Sequence, residues 1–339
     1  MAEKRLKIVQ AIFTQGFAGS ERICVELCNE LCLRHDVLLL VADDCDAVPG
    51  HSILEHVSPL VKVKKIPRGL RPLRVALAAW RFGADVYHGH LGRAIEYVRF
   101  MPSGITCIAH WHMGRPVTAK GLDGVVLISE WQTELLPPEM DMAYAVVPNW
   151  VSDFDHPSAE RIAALRAEFT IAPGDFAVGL VARPAPNKGI KEAVEAFCLW
   201  DKADAHFLVV GGTASGFQFN FKTGNPRIHF TGYRTDVRDL YSAFDCMVAP
   251  SYAEPFGLVV IEAMRADTRV LVRDTCGLKD IAAKNEDVLT LPTSSPDDIL
   301  AGLKRAYDLR LVAPRYDMSP YERVARIADV ERFYRELVR

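Results

Sequence analysis

Short apolar runs bounded by turn residues alternate along the whole chain with stretches in which apolar positions return every three or four residues. The first pattern predicts buried strands and the second amphipathic helices. In the first half, Lys7 to Phe13, Asp36 to Val41, Val61 to Ile66, Asp85 to His88, Thr106 to Ala109, Gly124 to Ile128 and Ala145 to Val147 read as strands. Ser20 to Leu33, Leu70 to Phe82, Leu91 to Phe100 and Glu130 to Leu136 read as helices between them. After a break at Pro148 to Pro157 the pattern restarts with helix Ser158 to Phe169 and strand Phe176 to Ala182. It continues through helix Gly189 to Trp200, strands Ala205 to Val210 and Arg227 to Phe230, helix Thr235 to Phe244, strand Asp245 to Ala249, a helix after Gly257 and strand Val270 to Arg273. Alternating strand and helix is the signature of α/β doubly wound sheets, so two Rossmann-like domains are expected, with a ligand between them at the carboxyl ends of the strands. The last helix, Tyr321 to Val338, carries Val324, Ile327, Val330, Phe333 and Leu337 on one stripe.

A chain of 339 residues exceeds what one core usually supports, which fits that division. The net charge of −3 argues against nucleic acid as the main partner. No apolar run reaches the roughly 18 to 20 residues that cross a bilayer, and Met1 to Arg5 leads straight toward a strand, so a cytoplasmic protein is expected. Cys24, Cys28 and Cys32 recur every four residues among Ile23, Leu27 and Leu31, as buried reduced thiols on a helix face would. Charge is unevenly placed. Val57 to Ala84 contains no acid but holds Lys62, Lys64, Lys65, Arg68, Arg71, Arg74 and Arg81, and residues 70–82 can form a helix with Leu73, Leu77 and Trp80 on one face. Residues 62–81 would suit the inner face of an anionic membrane, or equally a solvated basic face.

The candidate chemistry centres on Glu254-Pro255-Phe256-Gly257-Leu258-Val259-Val260-Ile261-Glu262. A strand, a turn and a helix starting at Gly257 leave free backbone N–H groups where an anion can bind. Gly257 admits close approach, and Glu262 is an acid in otherwise apolar surroundings that needs partners such as ligand hydroxyls. The plain alternative pairs Glu262 with Arg265 and leaves Glu254 as a helix cap. Arg183 to Gly189 places Arg183 and Lys188 on a proline-stiffened loop after a strand, where fixed charge can face a diphosphate leaving group. Gln15 to Arg22 forms a glycine turn, with Ser20 expected to cap the next helix. His88 with His90 and His110 with His112 alternate, so each pair points one way; zinc is not favoured, because no carboxylate or cysteine completes a known spacing. Asp44-Cys45-Asp46 and Asp153-Phe154-Asp155 read as turns rather than metal ligands.

These segments together resemble the GT4 family of retaining glycosyltransferases, which have the GT-B fold of two facing Rossmann-like domains. The paired glutamates, the run Arg183 to Gly189 and the loop holding Gly19 carry the resemblance, and Val147-Pro148-Asn149 and Cys276 to Asp280 extend it. Departures include Ala182, Ser20, Trp150 and Asp280, where the family favours glycine, glycine, glycine and glutamate. The resemblance implies a nucleoside diphosphate sugar as co-substrate, no metal and no other cofactor. It implies donor binding by Gly19, Arg183, Lys188, Glu254, Phe256, Gly257, Leu258, Val259 and Glu262, with Glu254 on the sugar and Glu262 on the ribose. His112 would be the active-site histidine and His110 its register alternative, with His110 and Arg115 on the acceptor side. Domains at 1–150, 151–319 and a helix, 320–339, crossing back to the first domain are implied as well.

The activity implied is transfer of a sugar to a hydroxyl of a glycan or lipid-linked acceptor in cell-surface polysaccharide or lipopolysaccharide synthesis. A nucleotide-sugar 2-epimerase of the same fold, or a non-catalytic nucleotide-sugar-binding subunit, would share most of these features.

Overall fold

Runs such as Leu38-Leu39-Leu40-Val41 bury every residue and cannot sit on a half-exposed sheet. They need helices on both faces, which is the environment of a parallel strand. The computed structural model describes residues 4–47, 52–118, 120–139, 142–211 and 224–338. It divides into one unit of Met1–Trp150 with Glu322–Arg339 and another of Val151–Tyr321.

In the first unit β1 (Lys7–Ile12), β2 (Asp36–Ala42), β3 (Lys62–Ile66), β4 (Val86–His90), β5 (Thr106–Trp111), β6 (Gly124–Leu127) and β7 (Ala143–Val146) form one parallel sheet in the order β3-β2-β1-β4-β5-β6-β7. Helices α1 (Gly19–Leu31), α2 (Arg71–Phe82) and α3 (Leu91–Glu96) connect its early strands. The order reverses between β1 and β4, the position where doubly wound sheets open a crevice at their carboxyl ends.

The second unit runs α4 (Ala159–Glu168), β8 (Phe176–Val181), α5 (Ile190–Cys198), β9 (Ala205–Val210), β10 (Ile228–Gly232), α6 (Val237–Ala243), β11 (Cys246–Ala249), α7 (Leu258–Arg265), β12 (Arg269–Arg273), α8 (Cys276–Ala283), β13 (Leu289–Leu291) and α9 (Pro296–Asp308). Its parallel sheet has the order β10-β9-β8-β11-β12-β13, with the reversal between β8 and β11. The chain then re-enters the first unit as α10 (Arg323–Leu337), whose Ile327, Val330, Phe333 and Tyr334 are buried.

Several local expectations change. The helix expected from Leu91 to Phe100 splits into α3 and a 3-10 turn, and Glu130–Leu135 is entirely 3-10. Ser20 does not cap α1: the helix begins at Gly19 and the Ala18 amide donates to Glu21 Oε2 at 3.1 Å, so the capping acceptor comes from inside the first turn. Cys24, Cys28 and Cys32 are buried free thiols.

Candidate active site

Each reversal point gathers polar side chains. In the second unit the loops after β8 and β11 are tied together. Tyr252 N donates to Asn187 O at 2.8 Å, Asn187 Nδ2 donates to Ala253 O at 3.3 Å, and Lys188 Nζ donates to Glu254 Oε2 at 2.6 Å. Gly189 makes this approach possible: at φ +66° it is left-handed, and a Cβ there would lie 2.3 Å from Pro250 O. Lys188 and Glu254 are both largely shielded from solvent. Arg183 is exposed, and among the described residues no hydrogen bond or ion pair engages its guanidinium.

Gly257 is the residue before α7, with φ +108°, and a Cβ there would meet Leu278 Cδ2 at 2.6 Å. It turns the chain from the buried Phe256 into the first turn of α7, where the Leu258 and Val259 amides have no intrahelical acceptor. One turn further, Glu262 is 8% exposed and accepts from the Tyr241 hydroxyl at 2.8 Å. That bond is part of what allows a carboxylate to sit in this apolar helix. Arg265, the residue weighed as a partner for Glu262, bonds the Asp153 carboxylate.

The first unit collects imidazoles instead. His88 and His90 lie within β4 and His110 within β5, rather than beyond the strands, with His90 and His110 in register. These three are fully buried, whereas His112 is partly exposed. Burial holds all four rings below the usual histidine range, and pushes His112 down to about 3, so they are neutral near pH 7.

Neutral rings have one donor and one acceptor each, and the bonds fix which is which. Gln10 Oε1 can only accept, so His90 Nε2–H donates to it at 2.8 Å. His90 Nδ1 is then an acceptor, and His112 Nε2–H donates to it at 3.1 Å. Among the described residues nothing donates to His112 Nδ1, which keeps its lone pair. On the other side, Gln10 Nε2 donates to the Tyr334 hydroxyl at 2.9 Å, which donates to His88 Nδ1 at 2.5 Å. A glutamine on β1 and a tyrosine on α10 therefore set the tautomer of a histidine on neither element. His110 stacks on His112 with centroids 4.4 Å apart, and among the described residues neither of its ring nitrogens has a partner.

His88, His90 and His110 bring one nitrogen each within 4.8 Å of one another. Their rings are tilted by only 15° to 36°, so the lone pairs run more nearly side by side than toward a common point. Two nitrogens on one tetrahedral zinc sit about 3.3 Å apart. The rings would have to turn to hold an ion, and we assign none.

Of the acids that mimic a metal motif, Asp44, Asp46 and Asp153 are engaged by cations. Asp44 accepts from Arg68 at 2.6 Å and Asp46 from Lys65 at 2.6 Å. The basic stretch is correspondingly less free than its composition implied. Arg71 is buried, donates to Ile66 O at 3.1 Å and pairs with Asp43 at 2.9 Å, so it belongs to the fold rather than to a surface. Leu70, Leu73, Leu77 and Trp80 do face solvent, Trp80 with 63% of its surface exposed, beside exposed Lys62, Lys64, Arg74 and Arg81.

Sequence reasoning singled out neither Gln10, Tyr241 nor Tyr334. Gln10 left a signal, as an uncharged polar residue inside the apolar strand Lys7 to Phe13. Tyr334 left none, because its partners His88 and Gln10 are more than 240 residues away.

Residues 162–323, which include the loops after β8 and β11, match the family Glycosyl transferases group 1. A stretch of 126 residues, 35% of this chain and 32% of the relative, is 31% identical to the N,N'-diacetylbacillosaminyl-diphospho-undecaprenol alpha-1,3-N-acetylgalactosaminyltransferase of Campylobacter jejuni. The chain spans about a third of the length of the curated relatives it matches first. Among solved structures, a glycosyltransferase from Rickettsia africae superposes with a TM-score of 0.81 at 15% identity, over 99% of this chain and 100% of that one. The Anabaena HepE protein in complex with UDP-glucose gives 0.75 at 16% identity, over 98% and 100%. These likenesses establish the fold as GT-B. Within that fold, residues 162–323 carry the likeness to the group 1 glycosyl transferases.

Proposed function

We propose that this chain is a retaining glycosyltransferase that moves a sugar from a nucleoside diphosphate to the hydroxyl of a glycan or lipid-linked acceptor in cell-surface polysaccharide or lipopolysaccharide synthesis. The observation that carries this reading is the Lys188–Glu254 bond, which ties the β8 and β11 loops at a reversal point within the matched family segment. Two likenesses support the reactants. The Anabaena protein is complexed with UDP-glucose, and the Campylobacter relative is named for a diphospho-undecaprenol acceptor.

Arg183 and Lys188 face the donor diphosphate, joined by the Leu258 and Val259 amides, and Gly257, whose left-handed turn packs against Leu278, aims those amides at the nucleotide beside Phe256. Gly19 adds its turn to the donor side. Glu254 orients the sugar and Glu262 takes the ribose hydroxyls. With this much fixed positive charge around the leaving group, transfer needs no metal. The bond from the anomeric carbon to the diphosphate oxygen breaks while the acceptor oxygen bonds to the same face. The acceptor proton passes to the departing phosphate oxygen. His112 Nδ1, neutral and unshared, accepts a hydrogen bond from the acceptor or the sugar, and is too weakly basic to store the proton.

Among the described residues no helix is long and apolar enough to cross a membrane. The stripe Leu70, Leu73, Leu77 and Trp80 with Lys62, Lys64, Arg74 and Arg81 instead matches an anionic bilayer surface in both apolarity and charge. It gives the enzyme a peripheral place on the membrane's inner face, where a lipid-linked acceptor is found.

A thermal-shift screen of nucleoside diphosphate sugars identifies the donor, since only a matched ligand raises apparent stability appreciably. Product analysis then decides. Sugar on an added acceptor supports transfer, whereas an epimerised donor formed without acceptor, or tight binding with no turnover, contradicts it.

A further inference from the structure

The first unit contains a cavity of about 510 Å3 that does not involve the imidazole row. Trp111 follows His110 on β5 and so turns to the opposite face of the sheet, where it lines this cavity with Ile95 and Met113. Over that apolar wall stand Arg99, Arg115 and Lys120. All three are exposed, and among the described residues none of them makes an ion pair. Elsewhere Arg34, Arg161, Arg234 and Arg335 each reach a carboxylate within 3 Å. Glu96 also lines the cavity but pairs with none of the three, so the lining keeps two positive charges in excess.

The cavity is built rather than incidental. Trp111 Nε1 donates to Arg115 O at 2.9 Å, which fixes the backbone that carries this guanidinium. Gly92, at the start of α3, brings its backbone alongside, a Cβ there being in ordinary contact with Arg115 Nη2 at 3.6 Å. The volume suits a sugar-sized or drug-sized molecule.

We infer that this cavity holds a phosphoryl group of the acceptor, with the carbon skeleton against Ile95 and Met113; the inference rests on the glycosyl transfer proposed above. A phosphomonoester brings a charge of about −1.5 to −2, which matches the excess, and it offers oxygens to both guanidinium groups at once. A carboxylate supplies half that charge. The phosphoryl group can belong to a soluble phosphosugar or to a polyprenyl phosphate, and the chemistry in the cavity is the same.

The test uses the full chain with its donor site filled by saturating UDP. Glucose 6-phosphate and farnesyl phosphate are titrated separately, with glucuronate and farnesol as controls. At least one phosphate probe should bind, and Arg115→Gln and Arg99→Gln should each weaken it about tenfold or more while UDP affinity stays unchanged. Tighter farnesyl phosphate names the lipid-linked source, and tighter glucose 6-phosphate the soluble one. Glucuronate or farnesol binding as well as the phosphates, displacement of the probe by UDP, or unchanged affinity in both variants would overturn the assignment. Failure of UDP to bind the wild-type chain would count against the donor site instead.

Discussion

Lys188 Nζ donates to Glu254 Oε2 at 2.6 Å, joining the end of the β8 loop to the turn that enters α7. The bond holds a cation and an acid assigned to one donor at opposite ends of a single contact, one for the diphosphate and one for the sugar. Their replacements should therefore fail differently. Lys188→Ala removes the charge-assisted partner proposed for the diphosphate and should weaken UDP binding about 10- to 100-fold, as a loss of 1.5 to 3 kcal/mol implies. Glu254→Gln keeps the shape, and should leave UDP affinity within about threefold while turnover falls by about 100-fold or more. Calorimetric titration with UDP and initial rates separate the two. Equal loss of UDP affinity in both variants would show that the pair acts as one structural clamp.

The histidine row makes a second prediction, about tautomers. Gln10→Met keeps the volume but cannot accept from His90, so nothing fixes the ring that receives the His112 proton. The maximal rate should fall about 10-fold or more with the donor KM unchanged, and melting should remain cooperative. Gln10→Glu retains an acceptor toward His90 and should recover part of the rate. No change in either variant would remove Gln10 from the mechanism.

Burial also ties stability to pH. In the unfolded chain a histidine takes a proton near pH 6.5, whereas folded His112 does so only near 3, so the folded state is fully stabilised above 6.5 and loses stability as pH falls toward 3. At pH 5 His112 alone should cost about 2 kcal/mol, and His88, His90 and His110 shift in the same direction and steepen the loss. Urea unfolding at pH 7.5 and 5.0 measures this. Equal stability at the two values would contradict the neutral, buried row.

Tyr241→Phe takes a hydroxyl donor from the Glu262 carboxylate at a buried site. It should destabilise the chain by about 1 to 3 kcal/mol and weaken UDP binding several-fold, because the carboxylate proposed for the ribose loses a bond that positions it. Unchanged affinity for UDP together with lowered stability would confine Tyr241 to the fold and count against Glu262 as a ribose ligand.

The surface stripe is tested by vesicle sedimentation. Leu73→Gln with Trp80→Gln, and separately Lys64→Glu with Arg74→Glu, should abolish binding to vesicles containing an anionic phospholipid while leaving melting unchanged. Arg71 is excluded because its buried pair with Asp43 holds the fold. Sedimentation that survives both pairs of changes would remove the membrane from the account.

Strand and helix order was legible because apolar periodicity is local. Buried parallel strands such as Asp36–Ala42 and β8 announce themselves by continuous apolar runs. Arg183 to Gly189 and Glu254 to Glu262 could be singled out for a related reason, since each lies in one short stretch of chain. What stayed hidden depends on distant segments. Gln10, His90 and Tyr334 meet only because β1 and β4 pair and α10 re-enters the first unit. Seven cations without an acid looked like one free basic surface, yet Lys65, Arg68 and Arg71 are neutralised by Asp46, Asp44 and Asp43 from the loop after β2. Ser20 had the right chemistry for a cap, but the helix begins a residue earlier and Glu21 supplies the acceptor.

The most direct test is a crystal structure of the chain with the donor it turns over. The ribose hydroxyls should lie within about 3 Å of the Glu262 carboxylate, with the diphosphate against Lys188 and the first amides of α7. A nucleotide seated elsewhere, with the Glu262 carboxylate remote from the ribose, would contradict the account at its centre.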